Sequence, residues 1–323
     1  MSVTSRAVTD DEADIRLDRW FRRHYPGVTQ GAIQKLCRTG QVRVDGRRAD
    51  AATRLAAGQS VRVPPLPATT APRPVGTSSV DPALAAELQQ RVLHRDEHVL
   101  VLDKPAGLAS QGGPGITRHL DGMLDALRFG SEHRPRLVHR LDRDTSGVLV
   151  LARTPGVAAR LAAAFRTRDV EKVYWAVVAG RPVPVAGSID AALARREGAG
   201  AARVAVAEPG DDAARAITEY RTLDHAARKL AWLELRPLTG RTHQLRVHCA
   251  AIGAPILGDV AYGADAAVLE GLSSNLHLHA RRLVLPHPTG GRLAVEAKLP
   301  PHMEATFRLL GFHAPPPAAA RRG

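Results

Sequence analysis

The chain has 323 residues, of which 44% are hydrophobic, so it is long enough to bury one large core or two smaller ones. Its formal net charge is +13, and such a surplus of basic residues favours a polyanionic partner. No apolar run reaches the length of a membrane span, and four acidic residues among the first fourteen argue against a signal or transit peptide. We therefore expect a cytoplasmic protein with no membrane partner.

Cysteine and histidine usage argues against a metal or redox centre. The two cysteines, Cys37 and Cys249, lie in separate predicted helices, and neither belongs to a Cys-x-x-Cys pair. His139, His243 and His248 lack the spacing of a zinc motif. We expect two reduced thiols with packing roles and no bound metal.

Basic charge is concentrated near the start of the chain. Residues 15–63 contain eleven basic and three acidic residues, which gives them +8 of the total +13. Charge clustered in one segment is the electrostatic footprint of a nucleic-acid-binding domain, so we expect this segment to bind nucleic acid. The alternative is a basic helical domain with solvated charges. The candidate RNA contacts here are Arg16, Arg19, Lys35, Arg38 and Arg43.

The same segment predicts two helices followed by a hairpin. Leu17, Trp20 and Phe21 share one helical face, and Gly40 fits the C-terminal cap of a second helix. Asp45-Gly46 is a strong signal for a hairpin turn. This order, with exposed arginines, resembles the small alpha-L RNA-binding domain named after a small-subunit ribosomal protein.

Composition divides the rest of the chain. Residues 1–14 are expected to be disordered, and residues 64–80, with five prolines and no periodic apolar pattern, predict a flexible linker. Residues 81–314 predict a second domain, and residues 315–323 a disordered tail.

Strand and helix patterns alternate through the second domain, which indicates an α+β fold. Val99–Leu102 and Val148–Leu151 predict buried strands, and Leu245–Ile252 predicts a helix that ends at Gly253. Residues 186–215 are rich in Ala and Gly, and we expect a hairpin or loop of low order there.

The run His139–Gly147 is the most informative stretch of the sequence. It places Asp142 between Arg140 and Arg143, and an apolar strand follows directly. Cationic neighbours favour the ionised form of a carboxylate, and they also attract a negatively charged polymer. This arrangement at the start of a strand therefore suits an acid that acts on such a polymer.

Four sequence blocks resemble the RluA-type RNA pseudouridine synthases and follow the order of that family. The blocks are Lys104–Leu108, His139–Gly147, Lys172–Ala176, and Thr239–His248 followed by Gly258–Gly263. The resemblance implies a pseudouridine synthase fold, with a mixed, mainly antiparallel central sheet flanked by helices. It also implies an isomerase that moves uracil from its nitrogen link on the ribose to a carbon link, which requires no cofactor.

The resemblance implies three catalytic residues. Asp142 matches the catalytic aspartate, which either attacks the anomeric carbon or assists elimination there. Arg246 matches the arginine that pairs with this carboxylate, and it lies one turn into a predicted helix that Thr242 would cap. Tyr174 matches a tyrosine that stacks on the flipped uracil and could relay the carbon-5 proton.

Other cations near these blocks are candidates for RNA contacts. Arg140 matches an arginine that enters the RNA stack where the base leaves. Lys104, Arg143 and Arg241 are candidate phosphate contacts, although a solvated or structural charge explains each equally well. Asp144 matches no catalytic position in the family, and we expect it to cap the turn that follows.

The sequence differs from the commonest family form after Leu108, where many members have a His-Pro pair. Ala109–Gly113 instead resembles the RluC subgroup, which acts on large-subunit ribosomal RNA. The expected protein is thus a monomeric synthase with ribosomal RNA as its partner. A transfer-RNA synthase and a non-catalytic ribosome-assembly factor that binds RNA remain alternatives. A hydrolase is disfavoured because no partner acid or base accompanies Asp142.

Overall fold

The chain divides into two compact units, Met1–Ser79 and Val80–Gly323. The computed structural model describes residues 3–9, 12, 14–25, 27–66, 82–113, 116–167, 169–196, 203–227, 229–263, 270–316 and 321–322. Most of the predicted linker lies outside these residues. No helix among the described residues is long and apolar enough to cross a membrane.

The first unit is a four-stranded antiparallel sheet with two helices. Its elements are β1 (Thr4–Ala7), α1 (Leu17–His24), α2 (Gln30–Arg38), β2 (Arg43–Val44), β3 (Arg47–Arg48) and β4 (Ser60–Val63). The strands lie in the order β1-β4-β2-β3.

The apolar stripe predicted for the first helix packs with apolar residues of α2 in the core of this unit. Trp20, Phe21 and Ile33 are all 0% exposed. Gly40 follows α2 with a φ of 70°, and Asp45 and Gly46 have φ values of 47° and 77°, as a tight hairpin turn requires. The predicted helix, helix and hairpin are therefore confirmed.

Disorder is predicted for residues 1–14, but the residues of this segment that the structure describes, 3–9, 12 and 14, include a paired strand. β1 pairs with β4 over the register Thr4–Val63 to Ala7–Ser60. Glu12 is buried, and its carboxylate accepts a hydrogen bond of 3.0 Å from the Trp20 indole. The sequence hides this because β1 is exposed along its whole length and has no apolar alternation.

The second unit contains one large sheet, one small sheet and several helices. Its first half contains α3 (Pro82–Gln90), β5 (Val92–Arg95), β6 (Val99–Lys104), a 3-10 helix (Leu120–Leu127), β7 (Arg136–Leu137), β8 (Ser146–Ala152), α4 (Pro155–Ala164) and β9 (Glu171–Ala179). Its second half contains β10 (Ala186–Asp190), β11 (Leu193–Arg196), β12 (Arg203–Val206), β13 (Ala213–Ala214), β14 (Ile217–Ala226), β15 (Leu230–Pro237), α5 (Gln244–Ala251), β16 (Leu278–Pro286), β17 (Arg292–Glu296), α6 (Pro301–Leu310) and β18 (Arg321–Arg322).

The large sheet is mixed and mainly antiparallel, as predicted. Its strands lie in the order β10-β14-β15-β9-β16-β8-β6-β5, with β17 beside β16 and β7 beside β8. Only β8 and β16 pair in parallel among the described strands. Together with the helices, this confirms an α+β fold.

Strand β8 is buried on both faces, which explains its continuous apolar run. Leu149 and Leu151 pack in a cluster with α3 and the 3-10 helix. Val148 and Val150 point the other way and pack with α4. The strand is thus held firmly on both sides, and the loop that carries Asp142 leads directly into it.

We expect Gly147→Ala to destabilise the second unit by about 3 kcal/mol, because strain and overpacking add at this position. Gly147 has a φ of 108°, and an added Cβ would lie 2.3 Å from the carbonyl oxygen of Ala280 in β16. The melting temperature measures the effect. Gly156→Ala in α4 is the control, since its Cβ would meet no atom within 4 Å and should leave stability equal or slightly higher. Equal melting of the two variants would contradict this account.

Two further segments are more ordered than the sequence predicts. Residues 186–215 contain β10 to β13, and β12, β11 and β13 form a separate small sheet. In the predicted disordered tail, the Pro315 carbonyl accepts a 2.9 Å hydrogen bond from Arg281, and β18 pairs with β17. Residues 317–320 and 323 lie outside the described part of the chain.

Both cysteines are free and buried, which confirms their predicted packing role. Burial raises the pKa of Cys37 to about 11 and that of Cys249 to about 12, so both remain thiols.

Candidate active site

A cavity of about 330 Å³ lies beside the loop that precedes β8. Asp142, Tyr174 and Arg246, which the sequence predicts to be catalytic, all line this cavity. They come from the loop before β8, from β9 and from α5. The fold therefore brings together three residues that lie in separate sequence blocks.

The backbone on both sides of Asp142 is held by buried side chains. Ser110 is 5% exposed, and its hydroxyl accepts from the Leu141 N–H at 3.1 Å and donates to the Leu141 carbonyl at 2.6 Å. On the other side, the Lys104 ammonium donates to the Arg143 carbonyl at 3.0 Å. Such support limits the freedom of the loop.

The structure contradicts the phosphate contact predicted for Lys104. This residue is 1% exposed, and its ammonium also donates to the carbonyls of Pro105 and Leu108, both at 2.8 Å. An ammonium has three hydrogens, and three backbone carbonyls take them all. Lys104 is a structural residue of the loop rather than a surface cation.

Arg246 and His243 face the carboxylate of Asp142, which is 20% exposed. Arg246 Nη1 lies 3.9 Å from Oδ2, and His243 Nε2 lies 4.0 Å from Oδ1. Both distances exceed a hydrogen bond, and catalytic contacts are often this long before the substrate binds. Each carboxylate oxygen thus has its own neighbour.

Arg246 has a different main partner from the one predicted. Its guanidinium binds Asp259 through two hydrogen bonds, Nε to Oδ2 at 2.8 Å and Nη2 to Oδ1 at 2.7 Å. Burial lowers the pKa of Arg246, but Asp259 and Asp142 outweigh it and hold this pKa above its ordinary value. The bidentate pair fixes the guanidinium plane so that Nη1 is left to face Asp142.

Helix α5 begins at Gln244, one residue later than a cap at Thr242 would place its start. Its N-cap is His243, with a left-handed φ of 55°, and no side chain caps the helix. The predicted Thr242 cap is therefore wrong. The segment before the helix is held by Gln244 instead, whose Oε1 accepts from the Thr239 hydroxyl at 2.7 Å and from the Arg241 N–H at 3.0 Å.

Tyr174 and Trp175 lie on opposite faces of β9. Tyr174 lines the cavity, and burial together with the nearby Asp142 raises its pKa, so its phenol keeps its proton. Trp175 packs against Trp232 at 4.7 Å between ring centroids and belongs to a cluster with Phe307. Trp175 is therefore a core residue, although it lies next to Tyr174 in the sequence.

The arginines near Asp142 differ in how firmly they are held. Arg140 is exposed, lines the cavity and has no side-chain hydrogen bond or ion pair with the described residues. Arg143 binds Asp144 through two hydrogen bonds of 3.0 and 3.1 Å, so Asp144 does not cap the turn as predicted. Arg241 also lines the cavity, and its Nε donates to the Arg215 carbonyl at 3.1 Å.

The candidate RNA contacts of the first unit fall into two groups. Arg16 binds Asp18 through hydrogen bonds of 3.2 and 2.8 Å, and Arg43 donates to the carbonyls of Gly40 and Gly46 at 3.4 and 3.2 Å. The exposed side chains of the other three have no hydrogen bond or ion pair within the described part of the chain: Arg19, Lys35 and Arg38.

Sequence reasoning missed four residues of the site. The sequence predicts no catalytic or binding role for Ser110, His243 or Asp259, although each lies in or beside a family block. Lys172 was also missed; it lines the cavity half-buried on the same face of β9 as Tyr174 and makes no ion pair with the described residues. Their only sequence signal was their place in these blocks, because the contacts that define them are distant along the chain.

Comparisons with known proteins bear on this site. The family model described as RNA pseudouridylate synthase matches residues 98–251, and the S4 domain model matches residues 15–61. The ribosomal large subunit pseudouridine synthase C of Rickettsia bellii is 34% identical over 88% of this chain and 94% of its own length. The mitochondrial RNA pseudouridine synthase 4 of Arabidopsis thaliana is 32% identical over 94% of this chain and 81% of its own.

A solved structure is also similar. The human RNA pseudouridylate synthase domain containing 4 is 31% identical to this chain, with a TM-score of 0.61. The match covers 72% of this chain and 98% of the human one.

Proposed function

Because the chain belongs to the RNA pseudouridylate synthase family, we propose that it converts specific uridines of large-subunit ribosomal RNA to pseudouridine with Asp142 as the catalytic group. The convergence of Asp142, Tyr174 and Arg246 on one cavity carries this proposal. At about 330 Å³ the cavity is in the size range of sites for small molecules, which a single flipped base resembles.

Asp142 acts on the sugar of the flipped nucleotide. Its carboxylate either attacks the anomeric carbon as the bond to the uracil nitrogen breaks, or assists elimination at the sugar. The freed uracil then turns and bonds to the sugar through carbon 5, which displaces the carboxylate or reverses the elimination. The proton lost from carbon 5 is balanced by the proton gained at the freed uracil nitrogen. Atoms and electrons balance without water or a redox partner.

Arg246 keeps Asp142 ready for this role. The guanidinium lies 3.9 Å from the Asp142 carboxylate, so its positive charge faces the reacting group across a short gap. Asp259 holds the guanidinium in place and shares its charge, so Arg246 orients Asp142 without binding it tightly. A tight bidentate pair with Asp142 would compete with the reaction at the sugar.

Tyr174 contacts the flipped base, and Arg140 fills the gap that the base leaves in the RNA. The aromatic face of Tyr174 is available for stacking on uracil, and its neutral hydroxyl is suited to relay the carbon-5 proton. Arg140 is exposed at the rim without a partner in the described chain, so its planar cation is free to enter the RNA stack. Filling that gap offsets part of the few kcal/mol lost when a base is flipped.

The choice of ribosomal RNA rests on the relatives. The Rickettsia bellii relative is named for the large ribosomal subunit, and it aligns with this chain over nearly its whole length. Asp142, Tyr174 and Arg246 line one cavity, and we propose that the protein acts as a monomer on ribosomal RNA in the cytoplasm. We propose two functional domains joined by the linker at 64–80, with RNA held by the first while the second finds its uridine.

The proposal is tested by incubating the protein with unmodified large-subunit ribosomal RNA and, separately, with transfer RNA transcripts. Pseudouridine is mapped as new carbodiimide-resistant stops in reverse transcription. We expect stops at specific uridines of the ribosomal RNA. Stops that appear only in transfer RNA would identify transfer RNA, and not ribosomal RNA, as the substrate. RNA binding without stops on either RNA would favour a non-catalytic assembly factor.

The first unit is expected to supply salt-dependent affinity through Arg19, Lys35 and Arg38. Neutralising all three to glutamine should reduce the slope of log affinity against log salt by about 2, because each phosphate contact contributes roughly 0.7 to 0.9. The control changes Arg16 and Arg54 to glutamine, since their charges are already compensated by Asp18 and Asp14. An equal slope for the triple variant and the wild type would exclude these residues as RNA contacts.

A further inference from the structure

His243 occupies an unusual position at the edge of the proposed catalytic cavity. Its backbone has a left-handed φ of 55°, which is uncommon for a residue other than glycine. The side chain lines the same cavity as Asp142 and Arg246. Such backbone strain clusters at functional sites, so the role of this side chain matters.

Both ring nitrogens of His243 have defined neighbours. Nδ1 lies 2.7 Å from the hydroxyl of Tyr262, and Nε2 lies 4.0 Å from Oδ1 of Asp142. A carboxylate oxygen accepts, so the tautomer that suits this position has its hydrogen on Nε2, directed at Asp142. In that tautomer Nδ1 accepts a hydrogen bond from the Tyr262 hydroxyl, and this bond favours the tautomer.

Tyr262 is itself held in place by the network around Arg246. The Arg246 guanidinium lies 4.9 Å from the centre of the Tyr262 ring, and the Tyr262 N–H donates to Asp259 Oδ1 at 3.3 Å. The groups that make up the network lie on three segments of the chain: Asp142, His243 with Arg246, and Asp259 with Tyr262. It is built so that two donors face the two oxygens of one carboxylate.

The charge state of the ring fits this arrangement. Burial lowers the pKa of His243, while Asp142 and Asp259 oppose the shift and Arg246 and Arg140 add to it. The ring is therefore neutral at neutral pH and donates one hydrogen bond without adding a second positive charge. Burial also raises the pKa of Tyr262, which keeps its hydroxyl protonated.

We propose that His243 is a positioning residue for the reaction: its Nε2–H holds Oδ1 of Asp142 while Arg246 faces Oδ2, so that the carboxylate keeps one orientation while uracil turns. The inference rests on the proposed function of Asp142. The 4.0 Å distance shortens to a hydrogen bond when the substrate fills the cavity, as catalytic contacts commonly do.

Two substitutions of His243 separate this role from a purely structural one. His243→Phe keeps a flat ring and removes the donor, whereas His243→Gln keeps an N–H near the place of Nε2. Neither phenylalanine nor glutamine is branched at Cβ, so the two variants carry a similar backbone penalty at this left-handed φ. His225→Phe, on the exposed part of β14, is the control for the substitution itself.

The rates are measured as kcat and KM for pseudouridine formation on ribosomal RNA, with melting temperatures to show that each variant is folded. We expect His243→Phe to lower kcat by roughly 10²-fold with KM within threefold, the usual loss for one preorganised donor. His243→Gln should recover about tenfold of this, and Tyr262→Phe, which frees the tautomer, should lower kcat by about tenfold. His225→Phe should match the wild type.

Three outcomes would overturn the inference. One is a folded His243→Phe with kcat within threefold of the wild type, and another is equal loss in the Phe and Gln variants. The third is a loss confined to KM, which would make His243 an RNA contact. If the wild-type protein itself forms no pseudouridine, the proposed function fails and this inference fails with it, which is a distinguishable result.

Discussion

Asp142→Asn is expected to lower the rate of pseudouridine formation by at least roughly 10⁴-fold, the scale of loss when a group that takes part in the chemistry is removed. Asparagine has nearly the same shape but no charge, so it neither attacks the sugar nor assists elimination. RNA affinity should remain within about threefold, because the cations that contact phosphate are unchanged. Single-turnover assays with excess enzyme measure the chemical step, and filter binding measures affinity.

Asp144→Asn is the matched control for this experiment. Asp144 lies two residues away in the same loop, is 44% exposed and binds only the neighbouring Arg143 among the described residues. We expect its rate to stay within about twofold of the wild type, since a surface pair of this kind contributes little. Wild-type activity in Asp142→Asn, or an equal loss in both variants, would show that the charge at 142 is not what the reaction needs.

The part of the fold that the sequence predicts well is the part governed by local periodicity. The apolar run Val148–Leu151 predicts β8 because a strand that is buried on both faces is apolar at successive positions. The helical stripe of α1 and the Asp45-Gly46 turn are equally local signals. By contrast, β1 and β10 to β13 are built mostly from small or exposed residues, and their pairing with distant strands is not visible in any window of sequence.

The site shows the same division. The block around Asp142 marks the loop, but the sequence cannot tell which of several carboxylates binds Arg246. Asp142 and Asp259 are both available, and only the packing of α5 against the segment after Gly258 makes Asp259 the bidentate partner. Lys104 resembles a surface cation in sequence, yet the chain from Pro105 to Leu108 bends around its ammonium and removes it from solvent.

Asp259→Asn is expected to lower the rate of pseudouridine formation by about 10²-fold and to destabilise the second unit by about 3 kcal/mol. Asp259 is 1% exposed and Arg246 is 13% exposed, so removing one charge leaves a guanidinium that is buried and poorly compensated. The free guanidinium then turns to the nearest remaining carboxylate, which is Asp142. A tight pair with Asp142 stabilises the charged carboxylate too strongly and holds it away from the sugar.

Asp190→Asn is the control, because it also removes a carboxylate paired with an arginine. Asp190 is 54% exposed and its partner Arg215 is 70% exposed, so the stability should change by less than about 0.5 kcal/mol and the rate should be unchanged. Melting temperature and single-turnover rate are measured for both variants. If Asp259→Asn keeps the wild-type rate, Arg246 does not need its bidentate partner to serve Asp142. If stability falls and the rate does not, Asp259 is a structural residue alone, and orientation of Arg246 is set by its position in α5.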